Sequence, residues 1–373
     1  MASDVILVIV VATALAFDFT NGFHDTANVV ATAISTRAVP PRIAVLFASI
    51  LNFAGAFISL KVAATVGKGI VDPAHIVGTS GMTIVFAGLI GAIAWNLATW
   101  WFGLPSSSSH ALIGGLVGST VAAVGTKAID GNGLLAKIIV PALIAPVLCF
   151  VVAGIAIIVI YAIVGRVRPG PVTRGFKLGQ LGTAGLLSLS HGTNDAQKTM
   201  GILALALVAH GSLGADFTEP PTWVIVSAAS AIALGTYTGG WRIIKTMGTR
   251  IIKMDAAQGF ASQGAGAVVI LAASHFGYPL STTHVINGGI MGAGAAKRLS
   301  AVRWGVAGNI IVAWILTLPA SAAGGAAVYG ITRIFGKGVA GPIVVSVLIL
   351  IAAVLLFARR ARTGTAAIGG APA

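Results

Sequence analysis

Within the first apolar run of the sequence lies the polar stretch Gly22-Phe23-His24-Asp25-Thr26-Ala27-Asn28. The run begins at Val5 and resumes at Val29, so Asp25 is expected at membrane depth. A lone carboxylate in hydrocarbon costs about 3 kcal/mol, and such residues face a partner, an ion or a watery cavity. Asp25 is therefore a candidate functional residue, although a helix cap or an interhelical hydrogen bond would also explain its position.

The second half of the chain contains a similar stretch, His191-Gly192-Thr193-Asn194-Asp195-Ala196-Gln197-Lys198. The alignment places Asp25 on Asp195 and Asn28 on Lys198, at an offset of 195 − 25 = 170 residues in a chain of 373. We interpret the sequence as two copies of one membrane unit, each bringing one carboxylate to a shared site. Two equivalent carboxylates favour a functional role over a purely structural one.

The composition is that of an integral membrane protein. Hydrophobic residues make up 57% of the chain and charged residues only 9%, whereas soluble domains average about 25% charged residues. Long runs of Ala, Val, Ile and Leu predict membrane helices and lack the alternation of a membrane barrel. The net charge of +14 is spread over short loops, as the positive-inside rule expects, and no basic patch indicates nucleic acid.

A second repeated motif aligns Pro105-Ser106-Ser107-Ser108-Ser109-His110 with Pro279-Leu280-Ser281-Thr282-Thr283-His284, at an offset of 284 − 110 = 174. Internal repeats that bring broken helices together near the midplane are typical of secondary transporters. We therefore predict an all-α polytopic membrane protein with two inverted-topology repeats, broken or re-entrant helices, and about 10–12 membrane segments.

The repeats and the basic residues predict the boundaries. We expect the first membrane repeat over residues 1–165 and the second over 178–330, separated by a basic cytoplasmic linker at 166–177. An extra C-terminal membrane helix and a basic tail are expected over 331–373. Counting outward from the linker places most loop arginines and lysines in the cytoplasm, and this parity makes the two halves inverted.

The serine and threonine runs predict an anion site. Proline favours the first turn of a helix, so the hydroxyls and free amides that follow lie at a helix N-terminus, where partial positive charge attracts anions. Hydroxyls bonded back to helix carbonyls are the structural alternative, but two symmetric runs favour binding. The candidate anion-binding residues are Ser107, Ser108, Ser109, Ser281, Thr282, Thr283 and Lys198.

These motifs closely resemble those of the inorganic phosphate transporter (PiT) family, and in particular its bacterial low-affinity Pit subgroup. The family pairs a Gly-x-Asn-Asp-x-Ala-Asn motif with a later His-Gly-x-Asn-Asp-x-x-Lys motif, and the second matches at residues 191–198. The first departs from the pattern, because His24 stands where the family usually has Asn. The resemblance covers about residues 5–330.

The resemblance implies a symporter, not an enzyme, that moves inorganic phosphate across the bacterial cytoplasmic membrane, often as a homodimer. It implies that the hydroxyl residues above bind phosphate with Lys198. The residues implied to hold the coupling cation or proton are Asp25, Asn28, Asn194, Asp195 and His24, with Asp25 and Asp195 as metal ligands. The subgroup implies protons as the coupling ion and a divalent metal–phosphate complex as substrate, while other members use sodium; no cofactor is expected.

Three other functions stay open at this point. A sulfate permease of the same family would suit a site that only donates hydrogen bonds, because sulfate carries no proton at neutral pH. An intramembrane aspartyl protease would use two membrane carboxylates to activate water, but the symmetric hydroxyl runs have no role in that chemistry. A passive anion channel would be excluded by accumulation of the anion against its gradient.

Overall fold

The structure is a computed structural model that describes residues 2–336 and 338–352. These residues form helices joined by short turns, with no β-strand apart from one isolated bridge between Val71 and Ile129. The helices of the first half are α1 (Ala2–Ser35), α2 (Pro41–Gly55), α3 (Lys61–Lys68), α4 (Gly78–Phe102), α5 (Ser108–Val124) and α6 (Gly131–Val164). Those that follow are α7 (Pro169–His210), α8 (Thr222–Thr238), α9 (Trp241–Arg250), α10 (Ala256–His275), α11 (Thr282–Lys297), α12 (Trp304–Ile334) and α13 (Ala340–Ala352).

The two halves have the same helix order, which confirms the predicted duplication. Each half begins with a long helix that carries an aspartate motif, and continues through two short helices in sequence, α2–α3 or α8–α9. The break between α8 and α9 bends the chain by 59°. A helix that starts at a Ser/Thr motif follows in each half, and a long apolar helix, α6 or α12, ends it.

The halves are interleaved. Helix α1 packs along α8 of the other half, and α7 packs along α2. The same exchange recurs at the Ser/Thr helices, because α5 packs along α12 and α11 packs along α6. The centre of the protein is therefore built from both halves, and each half completes the core of the other.

Glycines in the aspartate motifs allow close helix contact. The sequence is compatible with either close packing or a helix break at Gly22 and Gly192, and both α1 and α7 run through these residues without interruption. A Cβ atom at Gly22 would lie 2.2 Å from the carbonyl oxygen of Ile232, and one at Gly192 would lie 2.1 Å from that of Asn52. The breaks lie instead between α2 and α3, between α8 and α9, and ahead of α5 and α11.

Long apolar helices confirm the membrane character of the chain. Within the described residues, α1, α4, α6, α10 and α12 are long and apolar enough to cross a bilayer, and the bent pair α8–α9 makes a sixth candidate. Helices α2, α5 and α13 are apolar but shorter. The predicted segments, about 10–12, therefore correspond to a mixture of full spans, short helices and the long, more polar α7.

The segment between the halves is mostly helical. The predicted basic linker covers residues 166–177, but α7 already begins at Pro169, with proline in its first turn. Arg174 and Lys177 therefore lie on the first turns of α7. At the other end, α13 covers the described part of the predicted C-terminal helix, and residues 353–373, with the predicted basic tail, lie outside the described residues.

Candidate functional site

The two repeated aspartates meet at the centre of the protein. Asp25 lies on α1 and Asp195 on α7, and their exposed fractions are 2% and 0%. Asp25, Asp195 and His191 each offer one atom that could ligate a metal ion, and these three atoms lie within 4.8 Å of one another. The fold therefore brings together the two carboxylates that the sequence repeat pairs.

Asp25 is surrounded by neutral or titratable partners. Its Oδ1 lies 2.6 Å from Nδ1 of His24 and accepts a hydrogen bond from the Thr283 hydroxyl at 3.3 Å. The other ring nitrogen of His24, Nε2, lies 3.2 Å from the Thr99 hydroxyl and 3.4 Å from that of Ser106. His24 thus links the carboxylate of α1 to the end of α4 and to the turn that precedes α5.

Asp195 is paired with a full positive charge. The Lys198 ammonium donates to Asp195 Oδ1 at 2.5 Å, and the Thr282 hydroxyl donates to Oδ2 at 3.0 Å. His191 Nε2 lies 3.0 Å from the same Oδ2. Buried charges persist in proteins when they are paired and hydrogen-bonded, and both oxygens of Asp195 meet that condition.

The two Ser/Thr motifs form helix N-termini that converge beside the aspartates. Ser107 caps α5 and Ser281 caps α11, each by accepting a hydrogen bond from the backbone amide three residues on, at 3.1 and 3.3 Å. The Ser109 hydroxyl donates to the Leu280 carbonyl at 3.2 Å. Both helices therefore start at one place, and their unpaired amides and partial positive charge are available there for an anion.

Each half contacts the Ser/Thr motif of the other half through the last residue of its aspartate motif. The Asn28 amide donates to the hydroxyls of Thr282 and Thr283 at 3.1 and 2.9 Å. At the equivalent position, the Lys198 ammonium donates to the Ser109 hydroxyl and to the Leu280 carbonyl. The contacts of Asn28 with Thr282 and Thr283 and of Lys198 with Ser109 therefore join each long helix to the N-terminal end of a helix from the opposite half.

Asn194 points away from the carboxylates. Its amide donates to the Ser274 hydroxyl at 2.9 Å and to the Tyr278 carbonyl at 3.3 Å, so it links α7 to the end of α10. His24 makes the equivalent link to α4 in the first half. The side-chain oxygens of Asn194 and Asn28 are buried and accept no hydrogen bond. Such oxygens are free to coordinate a cation, although that of Asn194 lies on the α10 side of its helix.

Three further polar residues belong to this centre and were absent from the predicted site. His191 lies four residues before Asp195, and that spacing on one helix face was the available signal. The side-chain oxygen of Asn52 accepts from His191 Nδ1 at 3.2 Å, and its amide nitrogen donates to the Thr236 hydroxyl at 2.8 Å. Gln197 accepts hydrogen bonds from the first backbone amides of α3, those of Val62 and Ala63. The sequence could not predict the contacts of Asn52 and Gln197, because these contacts depend on which helices pack together.

The charges of the centre leave one net negative charge when the histidines are neutral, from Asp25, Asp195 and Lys198. A divalent metal between the carboxylates fits the donor types, because two carboxylates and an imidazole are ordinary ligands. Such an ion would compete with the Lys198 ammonium for Asp195. A proton or a monovalent cation near Asp25 requires no such displacement.

Little solvent reaches this centre. The exposed fraction of the hydroxyl residues in both motifs, of both aspartates and of Lys198 is at most 3%. The described structure is therefore a closed state, and a ligand would need a rearrangement of helices to enter or leave.

The known proteins that this chain resembles in sequence and in structure are described as phosphate transporters. A model of the phosphate transporter family matches the chain twice, over residues 21–173 and 166–325. A probable low-affinity inorganic phosphate transporter of Mycobacterium bovis is 49% identical over 96% of this chain and 84% of its own length. A protein of Bacillus subtilis with the same description is 43% identical over 87% of this chain and 96% of its own. A solved structure described as the sodium-dependent phosphate transporter superposes with a TM-score of 0.78 at 27% identity, covering 88% of this chain and 99% of that one.

Proposed function

This chain belongs to the phosphate transporter family, and we propose that it is a symporter that carries inorganic phosphate together with protons by alternating access. The protein is a multi-pass phosphate transporter of a bacterial cytoplasmic membrane. The observation that carries the finer proposal is the convergence of two helix N-termini, one from each half, beside two buried carboxylates and a lysine.

Phosphate is held by donors from both halves. Ser108 and Ser109 of α5 and Thr282 and Thr283 of α11 offer hydroxyls, and the first turns of both helices offer backbone amides. Lys198 adds a positive charge within reach of α5. Phosphate that still carries protons also needs an acceptor, and the Asp25 carboxylate supplies it. Sulfate carries no proton at neutral pH, so the same carboxylate repels it without compensation.

Coupling follows from charge. The aspartates repel a bare anion, and the anion-binding helix ends repel a bare cation, so either ligand alone binds weakly and both together bind well. Asp25 takes the proton, since its partners are His24 and the Thr283 hydroxyl and no ammonium group contacts it among the described residues. A divalent metal would enter bound to phosphate, with Asp25 and Asp195 as its protein ligands.

Sodium is the alternative coupling ion. The solved relative is described as sodium-dependent, and the free side-chain oxygen of Asn28 is a suitable sodium ligand. His24 beside Asp25 favours the proton, because imidazole both accepts and donates protons near neutral pH. We also infer a homodimer, which the resemblance to the family implies.

The decisive experiment is uptake of labelled phosphate into proteoliposomes, with proton and sodium gradients imposed separately. We expect an inward proton gradient to drive uptake without sodium, and magnesium to enhance it. Asp25→Asn liposomes provide the matched background. A strict sodium requirement would replace the proton with sodium in this proposal, and uptake that never exceeds equilibrium would indicate a channel. Unlabelled sulfate in excess should compete poorly.

A further inference from the structure

A third buried carboxylate, Asp18, lies on α1 outside the centre described above. It precedes Asp25 by seven residues, or about 10 Å along the helix. Its exposed fraction is 0%, and neither of its oxygens makes a hydrogen bond of good geometry. The mechanism described so far does not use it.

Two other unpartnered oxygens lie beside this carboxylate. Asn21, on the same helix, and Thr199, on α7, are its polar neighbours. The side-chain oxygen of Asn21 and the hydroxyl of Thr199 are themselves buried and without a hydrogen bond of good geometry. Buried polar groups in proteins are almost always hydrogen-bonded, so several unsatisfied oxygens at one place indicate a missing proton or ligand.

No positive charge is available to Asp18 from the described helices that pack around it. Helices α4 and α8 carry no acidic or basic residue at all. On α7, Asp195 and Lys198 act on Asp18 through space, but they are paired with each other at 2.5 Å.

The remaining titratable groups near α1 lie elsewhere along it. The His24–Asp25 pair lies toward the C-terminal end of the same helix. Gly240, just before α9, meets α1 at Phe23 and His24, and Gly248 of α9 meets it at Ala31 and Ser35, all on the C-terminal side of Asp18. The basic residues of α9 and α2 are exposed, namely Arg242, Lys245, Arg250 and Arg42. Helix α11 meets α1 at Asn28 and Asp25, and α10 meets it at Val29.

An ionised carboxylate in this position would be a buried charge without a partner, which is strongly unfavourable. A protonated carboxyl has no such cost, and its O–H can donate to the free oxygen of Asn21 while Thr199 donates to the other oxygen. We propose that Asp18 is a second proton-binding site of the transporter, separate from the phosphate centre, and that it holds its proton in the closed state. This inference rests on the proposed proton coupling.

The site exists in only one half of the protein. At the repeat offset of 170 residues, Ser188 is the position of the second half that is equivalent to Asp18. The Ser188 hydroxyl donates to the carbonyl of Ala184. Asp18 lies between Asp25 and the N-terminal end of α1, which the distribution of basic loops predicts to be outside. A proton would therefore load at Asp18 from the outer side before phosphate is enclosed.

The test compares Asp18→Asn with the wild type and with Ser188→Ala, the repeat-equivalent control. Proteoliposomes with a pH-sensitive dye inside report the number of protons that enter with each labelled phosphate. We expect Asp18→Asn to carry one proton fewer per phosphate and to lose most accumulation driven by a proton gradient, while Ser188→Ala matches the wild type. The same stoichiometry in Asp18→Asn and wild type would overturn the inference.

Two further measurements distinguish a failure of proton coupling from a failure of the role proposed for Asp18. If the wild type is driven only by sodium, proton coupling itself fails, whereas a proton-driven wild type with an unaffected Asp18→Asn refutes only the role of Asp18. If Asp18→Asn does not assemble, infrared spectra of Asp18→Glu with labelled aspartate serve instead. Recorded in the Asp25→Asn background, which removes the other proton-carrying aspartate, the band of a protonated, labelled aspartic acid should disappear in Asp18→Glu, and its persistence would contradict the proposal.

Discussion

The two aspartates of the centre occupy equivalent positions in different surroundings. Asp195 is paired with the Lys198 ammonium at 2.5 Å. The position equivalent to Lys198 in the first half is Asn28, which bonds hydroxyls of α11 and not the carboxylate. Asp25 therefore lacks a permanent countercharge and Asp195 has one.

This difference teaches that a duplicated fold need not give duplicated chemistry. Because a carboxylate with an ammonium partner favours its charged form, we expect Asp195 and Lys198 to act together as a structural and phosphate-orienting unit. A carboxylate with hydroxyl and imidazole partners has no fixed charge partner, so we expect Asp25 to be the one that exchanges a proton or cation. Substitutions that treat the two halves alike should consequently have unlike effects.

The largest effect is expected from Asp195→Asn. The substitution leaves the Lys198 ammonium buried without its charge partner, and breaking such a pair costs about 3–5 kcal/mol. We expect loss of uptake and a markedly lower thermal unfolding temperature in detergent. In the double variant Asp195→Asn/Lys198→Met, stability should largely return while uptake stays absent. A single variant as stable as the wild type would show that the pair does not hold the centre together.

Asp25→Asn should abolish coupled uptake with little loss of stability. Its carboxylate has no ammonium partner to strand, and the change alters hydrogen bonds worth about 1 kcal/mol each. Membrane insertion and the unfolding temperature should stay close to wild type, and uptake in proteoliposomes should fall to background. Near-normal uptake would mean that one carboxylate suffices, which would refute the shared centre.

Smaller losses are expected at the helix ends. Each hydroxyl bonded to a charged ligand contributes roughly 1.5–3 kcal/mol, which corresponds to about a tenfold to hundredfold change in affinity. Ser108→Ala and Thr282→Val should each raise the half-saturating phosphate concentration by such a factor. Thr79→Val and Thr120→Val, outside both motifs, are the controls. An unequal result, with only one helix end sensitive, would mean that phosphate binds to one half.

The smallest effect concerns the residue before each aspartate. His24 lies within contact distance of both Asp25 and Thr99, and Asn194 occupies the equivalent position. Asn at position 24 is too short to reach both, so His24→Asn should lose one hydrogen bond and reduce the coupled uptake about fivefold. Asn194→His, the reciprocal change, must fit a larger ring beside Ser274 and is the natural comparison. Equal activity of His24→Asn and wild type would show that the ring does not position Asp25.

Much of the fold could be predicted because the hydrophobicity of a local stretch of sequence determines where a membrane helix forms. The repeats could be located from the apolar runs, the two aspartate motifs and the two Ser/Thr motifs. The matching helix order of the two halves confirms the repeats. The helix breaks were harder to place. Gly22 was compatible with a break, but its contact with the backbone of Ile232 shows that close packing explains it. A glycine alone does not reveal which helix will lie against it.

The convergence of the candidate residues could be predicted from the sequence repeat, and their role in binding stays a prediction. The hydroxyls, Lys198 and the two aspartates converge, whereas Asn194 turns toward α10 and His191 joins the carboxylates. Asp18 carried no motif to distinguish it from other residues of the first apolar run. Its importance appears only when the described neighbours are seen to provide no countercharge.

The sequence by itself determined that this chain is helical, membrane-embedded, duplicated, and equipped with two repeated carboxylates and two helix ends rich in hydroxyls. These properties depend on hydrophobicity, spacing and backbone chemistry, which act over a few residues. Only the tertiary structure decided that the halves interleave and that Lys198 pairs with Asp195 while Asp25 contacts His24 and the Thr283 hydroxyl. Electrostatic pairing depends on distances between groups that are far apart in the chain, and those distances exist only after the helices have packed.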